Sequence, residues 1–293
     1  MAGHLERLER DGVTLLEDVY SEEQVAEWQR ELTDAWRPLQ RELPSLDWRT
    51  YHFKKEFIEA DSFAVGKQLF EGKRIARRRS DGTGVIDLGR GRYDIYSGVM
   101  RSGVFSEIVD DPPPLLAAIA DALLEIGYSS EDELGALPTL LPGDGEEGDE
   151  GGFWHRDACE CPATTDNPPL LTGRSGLLLS DPLFEGQEAL DLQLPCFYLT
   201  ALLPLTDLGP GEGATEFVLG SHHVNLSALG LTTAEAIADW ADTQPQFEAT
   251  CRAGSICLFH GYTLHRGGPI RAVSRAGLDE QQRSRDVIYY GFM

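Results

Sequence analysis

The order of secondary-structure patterns along the 293-residue chain constrains its fold most strongly. Two helical patterns lie in the first half of the chain. One begins at Ser21, which forms a capping-box pattern with Gln24, and the other follows the prolines at 112–114. After Asp157 the sequence changes to short apolar or β-rich runs bounded by Gly, Pro or Asp. Because no strand–helix–strand rhythm is present, this order favours a mainly β sandwich or barrel with flanking N-terminal helices packed on one sheet.

The sequence indicates a single domain, residues 1–293, because no Gly/Ser or Pro linker is long enough to separate two domains. We expect residues 1–140 to form a support of helices and strands, and residues 150–293 to form the β core. Two long segments between predicted strands, 159–195 and 220–254, are candidate lids. Long loops in a compact fold usually bind or cover ligands.

His155 and Asp157 are the first candidate metal ligands, in the run FWHRD at 153–157. Alternate residues of a β-strand project to the same side, so both side chains can reach one ion. His265 follows a second apolar strand pattern and precedes Gly267-Gly268-Pro269, where the chain must turn. Two histidines and one carboxylate can occupy one face of an octahedral Fe(II) ion and leave three positions open, as in non-haem Fe(II) oxygenases. No other residue is a candidate catalytic group.

Other histidines compete for the ligand role. His260 lies five residues before His265, at the outgoing end of the same predicted strand, and we expect it to be a hydrogen-bonding residue. His222 and His223 follow the turn at 219–221 and are expected to be structural.

Arg285 is the first candidate for binding a dicarboxylate co-substrate, and Arg275 is the second. A guanidinium group forms two charge-assisted hydrogen bonds to a carboxylate at fixed geometry. Arg285 opens the last strand pattern, where its position would be rigid, whereas Arg275 lies in a polar segment.

The net charge of −24 bears on the partners that the chain can bind. Polyanion binding would require a concentrated basic face, and the one candidate is the basic segment at 73–79. We expect that segment to be solvated, or to hold an anionic group of a small molecule, and we expect no nucleic-acid partner.

The expected compartment is the cytoplasm. The first residues lack the basic start and apolar stretch of a signal peptide, and no apolar run approaches the ~20 residues that span a bilayer. Five cysteines, an odd number, fit reduced thiols better than a disulfide framework. We therefore expect no membrane partner, and the oligomeric state is not readable from the sequence.

The chain resembles the phytanoyl-CoA dioxygenase (PhyH) family of Fe(II)/2-oxoglutarate oxygenases over nearly its whole length. The run LERDGVTLLEDV at 8–19 is similar to the N-terminal signature of the family, and FWHRD at 153–157 to its ligand strand. GEGATEFVLGSH at 211–222 resembles its glycine turn and following strand. GSICLF at 254–259, leading to HRGGP at 265–269, resembles its distal-histidine strand.

This resemblance implies a double-stranded β-helix, or jelly roll, with iron in one mouth. Fe(II) would be held by His155, Asp157 and His265, and Arg285 or Arg275 would bind the far carboxylate of 2-oxoglutarate. With O₂, such enzymes release succinate and CO₂ and oxidise a C–H bond, by hydroxylation, desaturation or ring closure. Asp157 stands where halogenating members carry a small residue, so halogenation is disfavoured.

The expected substrate is a small neutral or cationic metabolite, for example a natural-product intermediate, rather than a CoA thioester. Candidate pocket residues are aromatic: Trp154, Tyr93, Tyr96 and Tyr198. Two alternatives remain open at this point. One is a cupin-type metalloenzyme that does not use 2-oxoglutarate, and the other is a non-catalytic β-sandwich binding module.

Overall fold

The structure, a computed structural model, describes residues 1–50, 73–89, 91–101, 103–123, 129–142, 146–157, 199–224, 226, 229–231, 233–271 and 283–292. Its helices are α1 (Ala2–Asp11), α2 (Glu22–Glu42), α3 (Val104–Asp110), α4 (Pro114–Leu123) and α5 (Ala234–Ala241). Its strands are β1 (Val13–Leu16), β2 (Arg49–Thr50), β3 (Arg74–Arg77), β4 (Gly84–Gly89), β5 (Arg92–Tyr96), β6 (Ser129–Leu140), β7 (Leu199–Pro204), β8 (Thr215–Val218), β9 (Gln246–Glu248), β10 (Ile256–His260), β11 (His265–Gly267) and β12 (Ser284–Phe292).

Local sequence signals position the N-terminal elements. Gly12 has a φ of 79° and ends α1, because glycine adopts this left-handed conformation without strain. The predicted capping box is confirmed: the Ser21 hydroxyl accepts from the N–H of Gln24, and the Gln24 side chain accepts from the N–H of Ser21. Helix α2 therefore begins where the sequence predicts.

The described strands form two sheets. The large sheet has nine strands in the order β1-β10-β7-β12-β6-β5-β4-β3-β2, and the small sheet has the order β11-β8-β9. All the strand pairs recorded in these sheets are antiparallel. Strands from both halves of the chain alternate in the large sheet, since β1 pairs with β10 and β6 pairs with β12. The predicted mainly β fold with a few helices is confirmed.

The large sheet has an inner face toward the small sheet and an outer face toward the helices. On the inner face, Phe259 of β10 and Tyr289 of β12 share a buried cluster with Phe217 of the small sheet. Along β12, alternate residues such as Ile288 and Tyr290 belong instead to the outer cluster. Because side chains alternate along a strand, one set of residues points between the two sheets and the other set packs against the helices.

Helices α2, α3 and α4 cover the outer face; the sequence predicts α2 and α4, whereas α3 was not among its helical patterns. Their buried residues Leu32, Ile108 and Ile119 share one apolar cluster with Leu203 and Leu258 of the large sheet. Burial of each large aliphatic side chain contributes about 1.5–3 kcal/mol, so this cluster holds the helices onto the large sheet. Among the described residues, no helix is long and apolar enough to cross a lipid bilayer.

Candidate metal centre

His155 and His265 lie directly opposite each other at the edge of the small sheet. The N–H of His155 donates to the carbonyl of His265 at 2.8 Å, and the N–H of His265 donates to the carbonyl of His155 at 2.9 Å. Such a reciprocal antiparallel bridge places the two side chains on the same face. Their ring centroids are 4.3 Å apart, so residues 110 positions apart in the sequence present imidazoles side by side.

Asp157 completes the cluster. Its Oδ1 lies 3.4 Å from Nε2 of His265 and 3.8 Å from Nε2 of His155. The Thr200 hydroxyl donates to the other oxygen, Oδ2, at 2.7 Å, which fixes the orientation of the carboxylate. All three side chains are buried, and the candidate ligand atoms lie within 4.8 Å of one another.

Backbone carbonyls orient both imidazoles. Nδ1 of His155 lies 3.0 Å from the carbonyl of Phe153, and Nδ1 of His265 lies 2.9 Å from the carbonyl of Thr263. A carbonyl only accepts, so Nδ1 of each neutral ring carries the hydrogen and Nε2 keeps its lone pair. This is the usual arrangement of metal-binding histidines, in which the hydrogen bond at one nitrogen selects the tautomer and aims the other nitrogen.

The cluster fits a divalent metal ion such as Fe(II). Bonds of ~2 Å place neighbouring ligand atoms ~3 Å apart, so side-chain shifts of about 1 Å would bring these atoms to one ion. Nε2 of His265 is buried and makes no hydrogen bond within the described part of the chain. A buried nitrogen in this state costs free energy unless an ion or another partner satisfies it. Two imidazoles and one carboxylate match the facial set of non-haem iron sites.

Aromatic side chains form the wall behind His265. The ring of Phe259 lies 4.6 Å from the His265 ring, and the ring of Phe217 lies 5.7 Å from it in a stacked arrangement. Both phenylalanines are completely buried in the inner cluster. Packing of this kind excludes water from one side of the site and restricts rotation of the imidazole.

Arg156 anchors the segment between the two N-terminal ligands. Its guanidinium donates to the carbonyls of Ser221 and Val224 at 2.6 and 2.7 Å. The sequence predicts one strand through His155 and Asp157, but the structure shows a single bridge residue at His155 followed by a bend. Side chains still alternate, because Arg156 bonds to the turn after β8 while Asp157 bonds to Thr200.

Arg285, the first candidate for carboxylate binding, is buried on the inner face of β12. It donates to the carbonyls of Glu212 and Gly213, the former at 2.8 Å. Burial, and then the positive charge of Arg92, lower the pKa of Arg285 to about 10, so it remains charged at neutral pH. The second candidate, Arg275, lies outside the described residues.

The four aromatic candidates for the pocket have different locations. Trp154 is not positioned to line the site, because its ring packs beside Leu264 in a separate buried cluster and carries the Arg266 guanidinium 4.5 Å above it. Tyr93 lies on the outer face, away from the ligand cluster, and contacts Trp36 of α2, with ring centroids 5.2 Å apart. These two residues support the fold.

Tyr96 lies on the opposite face of β5 from Tyr93, which is the inner face. Its ring covers Gly84 of the neighbouring strand, where any side chain would overlap it. It is therefore the one described aromatic candidate that faces the interior. Tyr198 lies outside the described residues, as do residues 159–195 of the first candidate lid.

The competing histidines make ordinary hydrogen bonds. His260 is the last residue of β10, and its Nδ1 accepts from the N–H of Tyr262 at 3.1 Å. Nε2 of His222 and of His223 lie 3.0 and 2.7 Å from the carbonyl of Glu9. These residues connect the turn after β8 to α1 and do not join the buried ligand cluster.

His260 should make the stability of the metal-free protein depend on pH. Burial, and then the charges of His222 and His223, lower its pKa from 6.5 to about 3. The unfolded chain binds this proton near pH 6.5 and the folded protein does not, so the stabilisation is complete above that pH and is lost as pH falls. His260→Asn keeps an acceptor for Tyr262. This substitution should make the unfolding free energy depend less steeply on pH. Below about pH 6, its slope against pH should fall by about 1.4 kcal/mol per pH unit. Urea unfolding at several pH values measures the slope, and equal slopes would contradict the assignment.

Two polar residues beside the site were missed in the sequence. Thr200 lies in an apolar run, and only its alternation with the outward-facing Leu199 and Ala201 marks it as inward-facing. Arg92 carries the same signal, since it alternates with Tyr93 and shares a face with Asp94. A polar residue at an inward position of a predicted strand is therefore the usable signal.

The comparison with protein families decides the classification. Residues 8–276 match the family model described as phytanoyl-CoA dioxygenase (PhyH). The chain belongs to the phytanoyl-CoA dioxygenase family. It is therefore an enzyme of the Fe(II)/2-oxoglutarate oxygenase type, and the predicted family and enzyme class are confirmed.

Solved structures of non-haem iron enzymes share the fold of this chain at low sequence identity. SnoK, an α-ketoglutarate-dependent carbocyclase from nogalamycin biosynthesis, is 13% identical with a TM-score of 0.53, covering 100% of this chain and 83% of SnoK. EctD from S. alaskensis with bound Fe is 17% identical with a TM-score of 0.52, covering 100% and 76%.

The epimerase SnoN, solved in complex with Fe³⁺, α-ketoglutarate and nogalamycin RO, is 18% identical with a TM-score of 0.51, covering 99% of this chain and 82% of SnoN. A search of the curated proteins found no match. The likeness to solved structures supports the jelly-roll fold predicted from the sequence.

Proposed function

We propose that this protein uses 2-oxoglutarate and O₂ to oxidise a C–H bond of a small-molecule metabolite, releasing succinate and CO₂. The observation that carries the proposal is the buried cluster of His155, Asp157 and His265, with its candidate ligand atoms within 4.8 Å of one another. Family membership supports the reaction class.

The protein's part in this reaction is to hold the ion and leave half of its coordination sphere open. The bound iron would supply the O₂ chemistry and the oxidising power toward the substrate. His155 and His265 would bind through Nε2, because Nδ1 of each ring faces a backbone carbonyl. Asp157 would bind through Oδ1, because Thr200 holds Oδ2. Phe217 and Phe259 would keep water from the back of the site.

Arg285 would bind the carboxylate of 2-oxoglutarate that is remote from the metal. Its guanidinium is buried and fixed by the carbonyls of Glu212 and Gly213, so the charge is already oriented before the co-substrate arrives. Nε of Arg285 has no hydrogen-bond partner within the described residues. A desolvated cation of this kind favours a carboxylate strongly over a neutral group.

The proposed substrate is a small neutral or cationic metabolite, such as a natural-product intermediate. The net charge of −24 disfavours binding of highly anionic molecules, including CoA thioesters. Tyr96 on the inner face of β5 is the described aromatic residue that we propose as part of the pocket. Saturable oxidation of an acyl-CoA would overturn this assignment of the substrate class.

Anaerobic titration tests the proposal directly. We expect Fe(II) and 2-oxoglutarate together to produce a weak visible charge-transfer absorption, which neither ligand produces alone, and we expect oxygen to convert 2-oxoglutarate to succinate. A cupin-type enzyme would bind metal without this absorption band. A non-catalytic binding module would bind neither ligand at the cluster. Either result would replace the proposed function with one of these alternatives.

A further inference from the structure

Arg92 and Arg285 lie in one row across the inner face of the large sheet. Thr139 of β6 pairs with Arg92 of β5 on one side and with Arg285 of β12 on the other. Residues paired across neighbouring strands point to the same face, so the two arginines flank a buried threonine. The sequence positions 92, 139 and 285 show nothing of this arrangement.

Two glycines of the facing segment make room for the guanidinium groups. A methyl group at Gly213 would overlap Nη1 of Arg285 and would lie 3.3 Å from Nη2 of Arg92. A methyl group at Gly267 would lie 3.0 Å from Nη1 of Arg92. Gly267 is two residues beyond His265 on β11, so it lies on the same face of the strand, about 7 Å away. The arginine pair therefore lies next to the proposed iron site.

The two guanidinium groups differ in their recorded hydrogen-bond partners. Nη2 of Arg92 lies 2.8 Å from Oδ1 of Asp149 and donates to the carbonyl of Gly268 at 3.0 Å. Arg285 binds carbonyl oxygens, which carry no formal charge. The carboxylates of Glu212 and Asp286 also act on Arg285 electrostatically, but their recorded hydrogen bonds go to the N–H of Gly209 and to the hydroxyl of Ser284. The recorded hydrogen bonds of the buried Arg285 guanidinium therefore go to neutral acceptors, and a carboxylate that reached it would gain a charge-assisted hydrogen bond.

We propose that Arg92 is a second carboxylate-binding residue for the co-substrate, acting with Arg285 on the carboxylate remote from the metal. Asp149 competes with that carboxylate for Arg92 and so weakens co-substrate binding. This inference rests on the proposed function, because it assumes that 2-oxoglutarate is the co-substrate. Arg92 of β5 would thus join Arg285 of β12 in binding the remote carboxylate.

A purely structural role for Arg92 makes different predictions. In that case the Arg92–Asp149 pair would only tie the segment at 149–152 to the large sheet. Loss of either partner would then weaken the binding of every 2-oxo acid alike. If Arg92 contacts the remote carboxylate, its loss weakens only ligands that carry this carboxylate, and loss of the Asp149 charge has the opposite effect.

The test compares 2-oxoglutarate with 2-oxovalerate, which has a methyl group in place of the remote carboxylate. Dissociation constants come from the anaerobic Fe(II) charge-transfer absorption, which both 2-oxo acids can produce. Arg92→Met should weaken 2-oxoglutarate binding by about 10- to 100-fold and leave 2-oxovalerate binding unchanged. Asp149→Asn keeps a side-chain acceptor for the N–H groups of Gly151 and Ile270 and should tighten 2-oxoglutarate binding.

Matched variants make each outcome decisive. Arg74→Met removes an exposed arginine that pairs with Asp87 at 3.6 Å, and it should change neither constant. If Arg92→Met does not fold, Arg92→Lys replaces it in the test. The lysine variant keeps the charge and should retain part of the preference for 2-oxoglutarate. Equal weakening of both acids by Arg92→Met, or weaker binding in Asp149→Asn, would overturn the inference. If the wild-type protein does not bind 2-oxoglutarate, the proposed function itself fails.

Discussion

Replacement of Asp157 by asparagine is expected to reduce succinate formation to below about 1% of the wild-type rate. Asparagine has nearly the same volume, so the buried site should keep its shape. It removes the negative charge, however, and with it the one anionic ligand among the three. The loss should exceed the roughly 10–100-fold effect typical of residues that only orient a ligand.

Thr200→Val provides the graded comparison for this prediction. Valine keeps the shape of threonine but cannot donate to Oδ2 of Asp157. We expect about 10- to 100-fold weaker Fe(II) affinity, with turnover restored at high Fe(II) concentration. Asp239→Asn, an exposed change on α5, should alter neither quantity.

Iron affinity and anaerobic co-substrate binding separate the role of Asp157 from general damage. In Asp157→Asn, the charge-transfer absorption should be absent at iron concentrations that saturate the wild type, while the folded structure persists by circular dichroism. Normal iron affinity in this variant would show that Asp157 is not a ligand, and the assignment of the cluster would have to change.

Much of this centre was predictable because its parts are local in the sequence. The spacing of His155 and Asp157 predicts two side chains on one side of an extended segment. The apolar run before His265 and the turn signal after it single out this histidine, although the structure places it at the start of β11 rather than on the preceding strand. The site then forms when the two segments pair, and the reciprocal bridge between His155 and His265 is that pairing.

The pocket residues were harder to predict. Alternation along a strand assigns residues to two faces, but it does not show which face lines the pocket and which packs against the helices. Tyr93 and Tyr96 are three positions apart, so on one strand they must face opposite ways. They could not both line one pocket. Trp154, next to His155, is likewise directed away from the ligands and into a separate cluster. A check of strand parity would have excluded two of the four candidates.

Strand register accounts for the remaining residues. Thr200 approaches Asp157, and Arg92 approaches Arg285, only because particular strands pair at a particular offset. A shift of one residue would turn each of these side chains to the other face. Such an offset depends on packing between distant segments, and no local pattern encodes it.

Phe217→Ala is expected to destabilise the protein by about 3–5 kcal/mol and to weaken metal binding as well. Phe217 is completely buried, its backbone pairs with His265, and its ring stacks on the His265 imidazole. Removing the ring creates a cavity next to a candidate ligand. The stability loss follows from lost packing, whereas the loss of affinity follows from greater freedom of the imidazole.

Phe292→Ala is the control that separates these two effects. Phe292 is also buried, but it lies on the outer face of β12 and contacts Tyr290 in the helix-facing cluster. It should cost similar stability without changing iron affinity. Thermal unfolding of the metal-free proteins and Fe(II) titration measure the two quantities independently.

If both variants bind iron as tightly as the wild type, the aromatic wall does not position His265, and the hydrogen bond from Nδ1 to the carbonyl of Thr263 is sufficient. If only Phe217→Ala loses affinity, the inner cluster has two functions, because the same ring then stabilises the fold and restricts the ligand. Saturating Fe(II) should in that case recover part of the lost stability, since an ion that binds only the folded protein shifts the equilibrium toward it.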